Sequence, residues 1–439
     1  MLILKIYEEA MQLRALLANS RLKSKKSPFT RKGWQKSPKY FSLLLLASLI
    51  TVLLIGQPIK VFAQLIPIPQ EQIAPPVAQP PAQEIRGVWM TNNDTNVLMD
   101  SAKLQNAVTQ LAQLNFNTIY PVVWNSGYVQ YPNSELAKKT GIYQSYIGKG
   151  YQGQDILAEL VKLAHRQGLL VIPWFEFGFM APQSSELVLN HPNWLTQKQD
   201  GSLTSNSAAG EVVWLNPFLP EVQQFMTDLV LEVVTKYNID GVQFDDHTCL
   251  PNQFGYDRYT LALYKQETGK NAPTNPQDPA WMRWRADKIT AFMTQLNYAV
   301  KQRKPQAIFS VSPNPYITAY NSFLQDWVTW VDQNIVDELI VQVYRPDMTS
   351  FLEQIMRPEI QAAQQKIPTA IGVLTGLRNR PMPMSLIKSK VQASRDRGLG
   401  VTFFFYESLW DYAPEPSAER KSNFKALFSS PASRITAQQ

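Results

Sequence analysis

Ile85-Arg86-Gly87-Val88-Trp89-Met90-Thr91, followed by Asn92-Asn93-Asp94, is the stretch that decides the architecture. The run from Ile85 to Thr91 is apolar, β-branched and aromatic rather than alternating, as a strand covered on both faces should be. An open doubly wound sheet would carry a glycine-rich phosphate loop after its first strand. Asn92-Asn93-Asp94 contains no glycine.

The pattern then repeats. Further strands are predicted at Asn117–Val123, Leu169–Phe175, Gly241–Asp245, Ala307–Ser312, Leu339–Tyr344, Thr369–Val373 and Val401–Tyr406. Amphipathic helices separate them. Leu104, Ala107, Val108, Leu111 and Leu114 share one face at 3.6-residue spacing. Ile156, Leu157, Leu160, Val161 and Ala164 share another, with Gly168 placed to end that helix. Pro220-Glu221 suits a first helical turn, and the helix should run to about Lys236. Strand–helix units from 84 to 428 predict an α/β fold, a (β/α)8 TIM barrel with enlarged βα loops.

Composition narrows the chemistry. The chain has 439 residues, 45% hydrophobic and 18% charged, enough to build a large core. Its formal charge is +7, but residues 1–40 hold ten Lys and Arg against two Glu, whereas residues 64–439 hold 31 basic and 33 acidic residues. The excess positive charge is confined to the leader, so no nucleic-acid partner is expected for the body. One cysteine, Cys249, excludes an intramolecular disulfide, and three histidines, His165, His191 and His247, leave little for a metal centre. Catalysis is therefore expected from carboxylates, with no metal and no cofactor.

Phe41–Ile55 is uncharged and leucine-rich, shorter than the about 20 apolar residues of a membrane span but suited to a signal-peptide core. Val61-Phe62-Ala63 before Gln64 fits signal-peptidase cleavage, with an uncleaved anchor as the alternative; the long basic arm ahead makes Met11 a candidate start. Residues 1–63 thus read as a leader that exports the body to the periplasm or cell envelope. The stretch 64–83, with Pro67, Pro69, Pro75, Pro76, Pro80 and Pro81, reads as an extended spacer. A barrel over 84–428 and a tail over 429–439 complete the expected organisation.

In such a barrel the active site forms at the C-terminal strand ends. Those ends carry aromatic rings with carboxylates and amides, the combination a sugar site requires: rings stack on apolar sugar faces, and carboxylates work on the glycosidic bond. The sharpest signal is Asp240-Gly241-Val242-Gln243-Phe244-Asp245-Asp246-His247. Strand alternation puts Gly241, Gln243 and Asp245 on one face, so Asp245 projects at the mouth and Asp246 begins the loop. The competing reading has one aspartate capping the turn. Glu176, in Pro173-Trp174-Phe175-Glu176-Phe177, lies in an apolar setting that either raises its pKa, as a general acid needs, or requires an ion pair with a residue such as Arg86. Glu407 reads rather as a loop anchor. Asp245, Asp246 and His247 lack the His-x-x-x-His partner of a deacetylase metal site; a His247–Cys249 dyad and a Ser310 or Ser312 nucleophile are weaker still. Trp281, Trp284, Trp327 and Trp330 fall in helical segments and read as packing.

A resemblance joins these pieces. Glu84-Ile85-Arg86-Gly87-Val88-Trp89, Asn115-Phe116-Asn117-Thr118-Ile119, Ile172-Pro173-Trp174-Phe175-Glu176, Leu215-Asn216-Pro217 with Pro220-Glu221-Val222, Tyr237 through Asp246, Val311-Ser312-Pro313 and Gln342-Val343-Tyr344 occur in this order. Together, over about Gln83 to Leu409, they resemble glycosyl-hydrolase-like family ten, a family of exported bacterial proteins. The resemblance implies a TIM-barrel glycosidase; a cell-division-associated member acts on peptidoglycan strands stripped of peptides. It matches Asp245 and Asp246 to the family's acidic pair and departs at His247, where an aromatic residue often stands.

The expectation is an exported glycoside hydrolase acting on an envelope polysaccharide, with peptidoglycan glycan as the leading substrate. Asp245, Asp246 and Glu176 are the candidate catalytic residues. Trp89, Asn92, Trp124, Asn125, Trp174, His247, Ser312, Asn314, Gln342, Tyr344, Tyr406 and Glu407 are the candidate substrate contacts. Membrane contact is expected only through the N-terminal segment. The alternative is a catalytically silent, sugar-binding barrel.

Overall fold

The computed structural model describes residues 83–92, 96–142, 154–207 and 210–434. The leader, the proline-rich spacer up to residue 82 and the end of the tail lie outside the described residues. No described helix is long and apolar enough to cross a membrane.

Parallel strands form at the anticipated places: β1 (Arg86–Met90), β2 (Thr118–Asn125), β3 in two pieces (Leu170–Val171 and Trp174–Phe175), β4 (Gly241–Asp245), β5 (Ile308–Ser312), β6 (Glu338–Gln342), β7 (Thr369–Leu374) and β8 (Gly400–Phe404). Each pairs with the next in chain order, and β1 pairs with both β2 and β8, closing an eight-stranded barrel. The gap in β3 falls at Ile172-Pro173, because proline has no N–H to give to the ladder.

Both faces of every strand are covered, which explains the continuous apolar runs. Inside, Ile85, Trp89, Tyr120, Val122, Ile172, Trp174, Ile340 and Ala370 pack together. Outside, Val88, Ile119, Phe244, Phe309, Val341 and Phe403 join the larger core under the helices. Helix α1 (Ser101–Gln113) buries Leu104, Ala107, Val108 and Leu111 and is capped by the Asp100 carboxylate, which accepts from Lys103 N. Helix α2 (Ile156–Arg166) buries the anticipated Ile156, Leu157, Leu160, Val161 and Ala164, and Gly168 beyond it adopts φ 74°. Helix α3 (Pro220–Lys236) starts at its proline and ends where expected. The loops are enlarged as anticipated; the one after β3 carries a three-stranded antiparallel sheet from Met180–Pro182, Thr204–Ser207 and Gly210–Trp214.

A polar chain crosses the barrel interior. The Trp89 indole N–H donates to Gln243 Oε1 at 2.7 Å, Gln243 Nε2 donates to Ser310 Oγ at 3.0 Å, and Ser310 donates to Glu338 Oε1 at 2.8 Å. Tyr120 also donates to Glu338, at 2.8 Å, and Arg434 pairs with its other oxygen. The side-chain oxygens of Gln243, Ser310 and Glu338 along this line thus all have partners. The chain after the last helix, α4 (Ser417–Leu427), runs back to the N-terminal end of β1: Ser433 O accepts from Glu84 N at 3.0 Å and Ser430 O from Arg86 Nη1 at 2.6 Å.

Candidate active site

The site is assembled at the C-terminal ends of β1 to β6 and of β8. Glu176 follows β3, two residues after Trp174 and therefore on the same inward face. It is 8% exposed. The alternative, an ion pair with Arg86, does not form, since Arg86 pairs with Glu84 at 2.9 Å near the opposite end of β1. Glu176 instead accepts from the Asn125 amide and, at 3.5 Å, from the Thr91 hydroxyl. Burial pushes its carboxyl up to about 7, against the opposing pull of Asn125 and the His247 charge and with help from the negative Asp246. This is the other arm of the sequence expectation, a carboxyl protonated enough at neutral pH to serve as an acid.

Asn125 reaches Glu176 through an irregularity in β2. Val122 lies opposite Trp174, but Trp124 lies opposite Phe175, so β2 carries one residue more than β3 over this step. Val123 and Trp124 both join the outer core, and Asn125 turns inward. Simple alternation from Tyr120 and Val122 would have put Trp124 in the mouth. The structure places it instead between the barrel and α3, fully buried, its ring 5.7 Å from Phe225 and its N–H on Gly178 O at 3.0 Å.

On β4, Gln243 and Asp245 face inward as anticipated. Asp245 is 3% exposed. Its Oδ1 accepts from Asp246 N at 2.8 Å, from Ser312 Oγ at 3.4 Å and from the Gln342 amide. Asp246 Oδ2 accepts from Asn314 Nδ2 at 2.6 Å, and Trp327 holds the Asn314 carbonyl at 3.1 Å. So Ser312, Asn314 and Gln342, from the ends of β5 and β6, grip the two aspartates. Burial, then the Asp246 charge, raise the Asp245 pKa well above the carboxylate range, while His247 works in the other direction. His247 Nδ1 lies 3.3 Å from Asp246 Oδ1, 3.6 Å from Asp245 Oδ2 and 3.0 Å from the Glu176 carbonyl oxygen.

Asp245, Asp246 and His247 bring ligand-type atoms within 4.8 Å of one another. A carbonyl oxygen only accepts hydrogen bonds, so Nδ1 facing Glu176 O carries a proton and has no lone pair to give; in the neutral ring only Nε2 could ligate.

Aromatic rings form the floor. Trp89, Trp174 and Phe404 meet with centroids 6.2–6.3 Å apart, and Phe404 also lies 5.5 Å from Tyr344. Trp89 and Trp174 are almost wholly covered, at 1% and 2% exposure. Phe404 and Tyr344 are half-buried and are the open rings of this group. Burial and the charges of Asp245, Asp246 and Glu176 all raise the Tyr344 pKa, so its hydroxyl stands in the field of the carboxyl cluster. Asn92 Oδ1 is buried with no hydrogen-bond partner among the described residues. Tyr406 and Glu407 lie in the turn after β8, beyond the strand end. Tyr406 packs edge-on against Trp410 at 6.2 Å. Glu407 accepts from Asn96 N and Val97 N, both at 3.2 Å, anchoring the loop after β1; burial pushes it up to about 7.

Sequence reasoning passed over four contributors. Thr91 and Phe404 follow from strand parity, being two residues beyond Trp89 and Thr402. Phe177, stacked on the His247 ring at 5.8 Å, had no such signal. Nor had Gln325, which donates to Asp245 O at 3.0 Å from far along the chain. Cys249 is buried, and Trp281, Trp327 and Trp330 are core residues.

Residues 84–394 match the family model described as glycosyl hydrolase-like 10. The glycosyl hydrolase DigH of Escherichia coli K12 is 24% identical over 323 residues, covering 63% of this chain and 71% of that protein. The glycosyl hydrolase YngK of Bacillus subtilis is 24% identical over 216 residues, 44% of this chain and 39% of that protein. Among solved structures, the glycoside hydrolase domain of PgaB (BpsB) from Bordetella bronchiseptica superposes with a TM-score of 0.60 at 13% identity, covering 80% of this chain and all of that one. With the family matched over most of the barrel and the carboxyl cluster at its mouth, the chain belongs to the glycosyl hydrolase-like 10 family and is a glycosidase.

Proposed function

We propose that this glycosidase cleaves an envelope polysaccharide, with the glycan strands of peptidoglycan as its substrate, after export by the N-terminal leader. The observation that carries the chemistry is Glu176, a buried carboxyl at about 7, at the same barrel mouth as the Asp245–Asp246 pair. Glu176 donates the proton to the departing glycosidic oxygen. Asp245 is the essential second carboxylate, with Asp246 beside it sustaining the negative charge that a developing oxocarbenium ion requires. Phe404, with Tyr344 alongside, offers a ring for a sugar face at the floor. The choice of peptidoglycan rests on the family resemblance and on a leader followed by a proline-rich spacer.

The test is digestion of glycan strands stripped of peptides. Wild type should release shorter saccharides with new reducing ends, and Asp245→Asn should not. If both proteins bind the strands equally and neither cleaves them, the barrel is a sugar-binding module; cleavage of another envelope glycan but not this one moves the substrate and leaves the chemistry in place. Export is tested by fusing, after Gln83, a reporter active only outside the cytoplasm; a silent fusion that accumulates in the cytosol refutes it.

A further inference from the structure

We infer that His247 is a positioning residue rather than a sugar contact: its Nδ1–H sits between the Glu176 carbonyl oxygen at 3.0 Å, Asp246 Oδ1 at 3.3 Å and Asp245 Oδ2 at 3.6 Å, and so ties the aspartate pair of β4 to the backbone that carries the acid after β3. The inference rests on the glycosidase reading of this site.

The ring is fixed from outside as well. It stacks on Phe177 at 5.8 Å with the planes 30° apart, and Trp214 lies 6.4 Å away. The backbone beneath it is gripped by the same loop: His247 O accepts from Phe179 N at 3.1 Å. Gly178, at φ 48°, comes so close that a Cβ there would lie 2.4 Å from that carbonyl oxygen. Any other residue at 178 would push the loop after β3 away from residue 247.

Its charge follows from what faces it. Asp245 and Asp246 face the ring from the end of β4 and Glu176 from the end of β3. Tyr344 at β6 and Cys249 in the same loop sit in the aspartate field. Burial works against the imidazolium, but Asp246, then Asp245 and Glu176, outweigh it and push the ring up to about 10. A cation beside two adjacent carboxylates lets one of them stay ionised without the full cost of their mutual repulsion. The proton hydrogen-bonded to the Glu176 carbonyl and the positive charge beside the two aspartates also set where the ends of β3 and β4 stand.

The experiment uses the whole chain with isotope-labelled histidine rings. With only His165, His191 and His247 present, His247→Asn assigns the signal. In the absence of any glycan, the His247 ring should remain protonated through neutral pH, and its midpoint should fall by at least about one unit in Asp246→Asn. A midpoint near 6.5 in wild type, or one indifferent to Asp246→Asn, overturns the proposal. On stripped glycan strands, His247→Phe keeps the ring stack and loses the proton. It should lower kcat at least about tenfold, leave KM within about twofold, and move the acidic limb of the pH profile upward. His247→Asn, whose amide can replace Nδ1–H, should recover part of kcat. A rise in KM with kcat and pH profile unchanged would make His247 a sugar contact and end this reading. If wild type cleaves no glycan, the proposed function falls while the ring titration still judges His247.

Discussion

The Asn125 amide donates to Glu176 Oε2 only because β2 gains a residue between Val122 and Trp124. That one irregularity decides which of two neighbouring side chains enters the active site and which supports the barrel from outside. Asn125 thereby becomes the main neutral partner of the acid, and Trp124 becomes part of the wall.

Trp124 and Phe404 should accordingly fail in opposite ways. Trp124→Ala opens a cavity against Phe225 and leaves Gly178 O without its donor, which should cost about 3–5 kcal/mol. The folded fraction of that variant should keep its kcat. Phe404→Ala removes a half-buried ring at the floor and should raise KM with a smaller loss of stability. Thermal melts alongside kinetics on glycan strands check both; a Trp124→Ala protein that melts normally but binds glycan poorly would return Trp124 to the mouth.

Glu176 should govern the alkaline side of the pH profile. An acid at about 7 must be protonated to act, so turnover should fall as pH rises through 7. Glu176→Gln should lose on the order of 10²–10⁴-fold in turnover on natural glycan. Substrates with a good leaving group, which depart without protonation, should recover much of that loss. Equal losses on both kinds of substrate would give the proton-donor role to another group.

Stability should move the other way. Raised from 4.5 to about 7 in the fold, Glu176 holds a proton that the unfolded chain releases. That contribution is complete below about 4.5 and lost as pH climbs through 7. Glu176→Gln should therefore melt higher than wild type at pH 8, by at most roughly 3 kcal/mol, and close to it at pH 4.5. Glu407, also near 7, leaves a residual slope in the variant. Parallel melting curves across this range would contradict the burial argument.

The far end of the barrel offers a fourth prediction. Glu338 is 1% exposed and Arg434 is its charge partner. Arg434→Met leaves a buried carboxylate uncompensated and should cost about 3–5 kcal/mol. Adding Glu338→Gln should restore most of it, because a neutral amide can still accept from Tyr120 and Ser310. Denaturant unfolding of the two single variants and the double variant measures the coupling; additive losses would mean that the pair does not matter.

A last prediction concerns metal. Carboxyl acid/base chemistry needs no metal, and the proton on His247 Nδ1 removes that nitrogen as a ligand, so turnover should survive EDTA. Loss of turnover in chelator, restored by zinc, would favour a deacetylase-like metal site instead.

What the sequence determined by itself was whatever depends on neighbours along the chain. Two-sided burial wrote the strands as continuous apolar runs, helical spacing wrote the stripe of α2, and Pro220 and Gly168 marked where helices begin and end. Alternation along β4 was enough to turn Gln243 and Asp245 inward, and the apolar setting of Glu176 narrowed it to an ion pair or a raised pKa. What only the tertiary structure decided depends on register between strands and on contacts between distant segments. The extra residue in β2 reverses the faces of Trp124 and Asn125, and nothing local in Val122-Val123-Trp124-Asn125 signals it. Arg86 found Glu84 rather than Glu176 because the two ends of a strand lie too far apart for one side chain to choose between them. Gln325, Asn314 and Gln342 reach the aspartates of β4 from later in the chain, because closing a barrel brings separate strand ends around one mouth. The charge on His247 belongs to that mouth as a whole, since it is set by three carboxyls that meet only when β3 and β4 stand side by side.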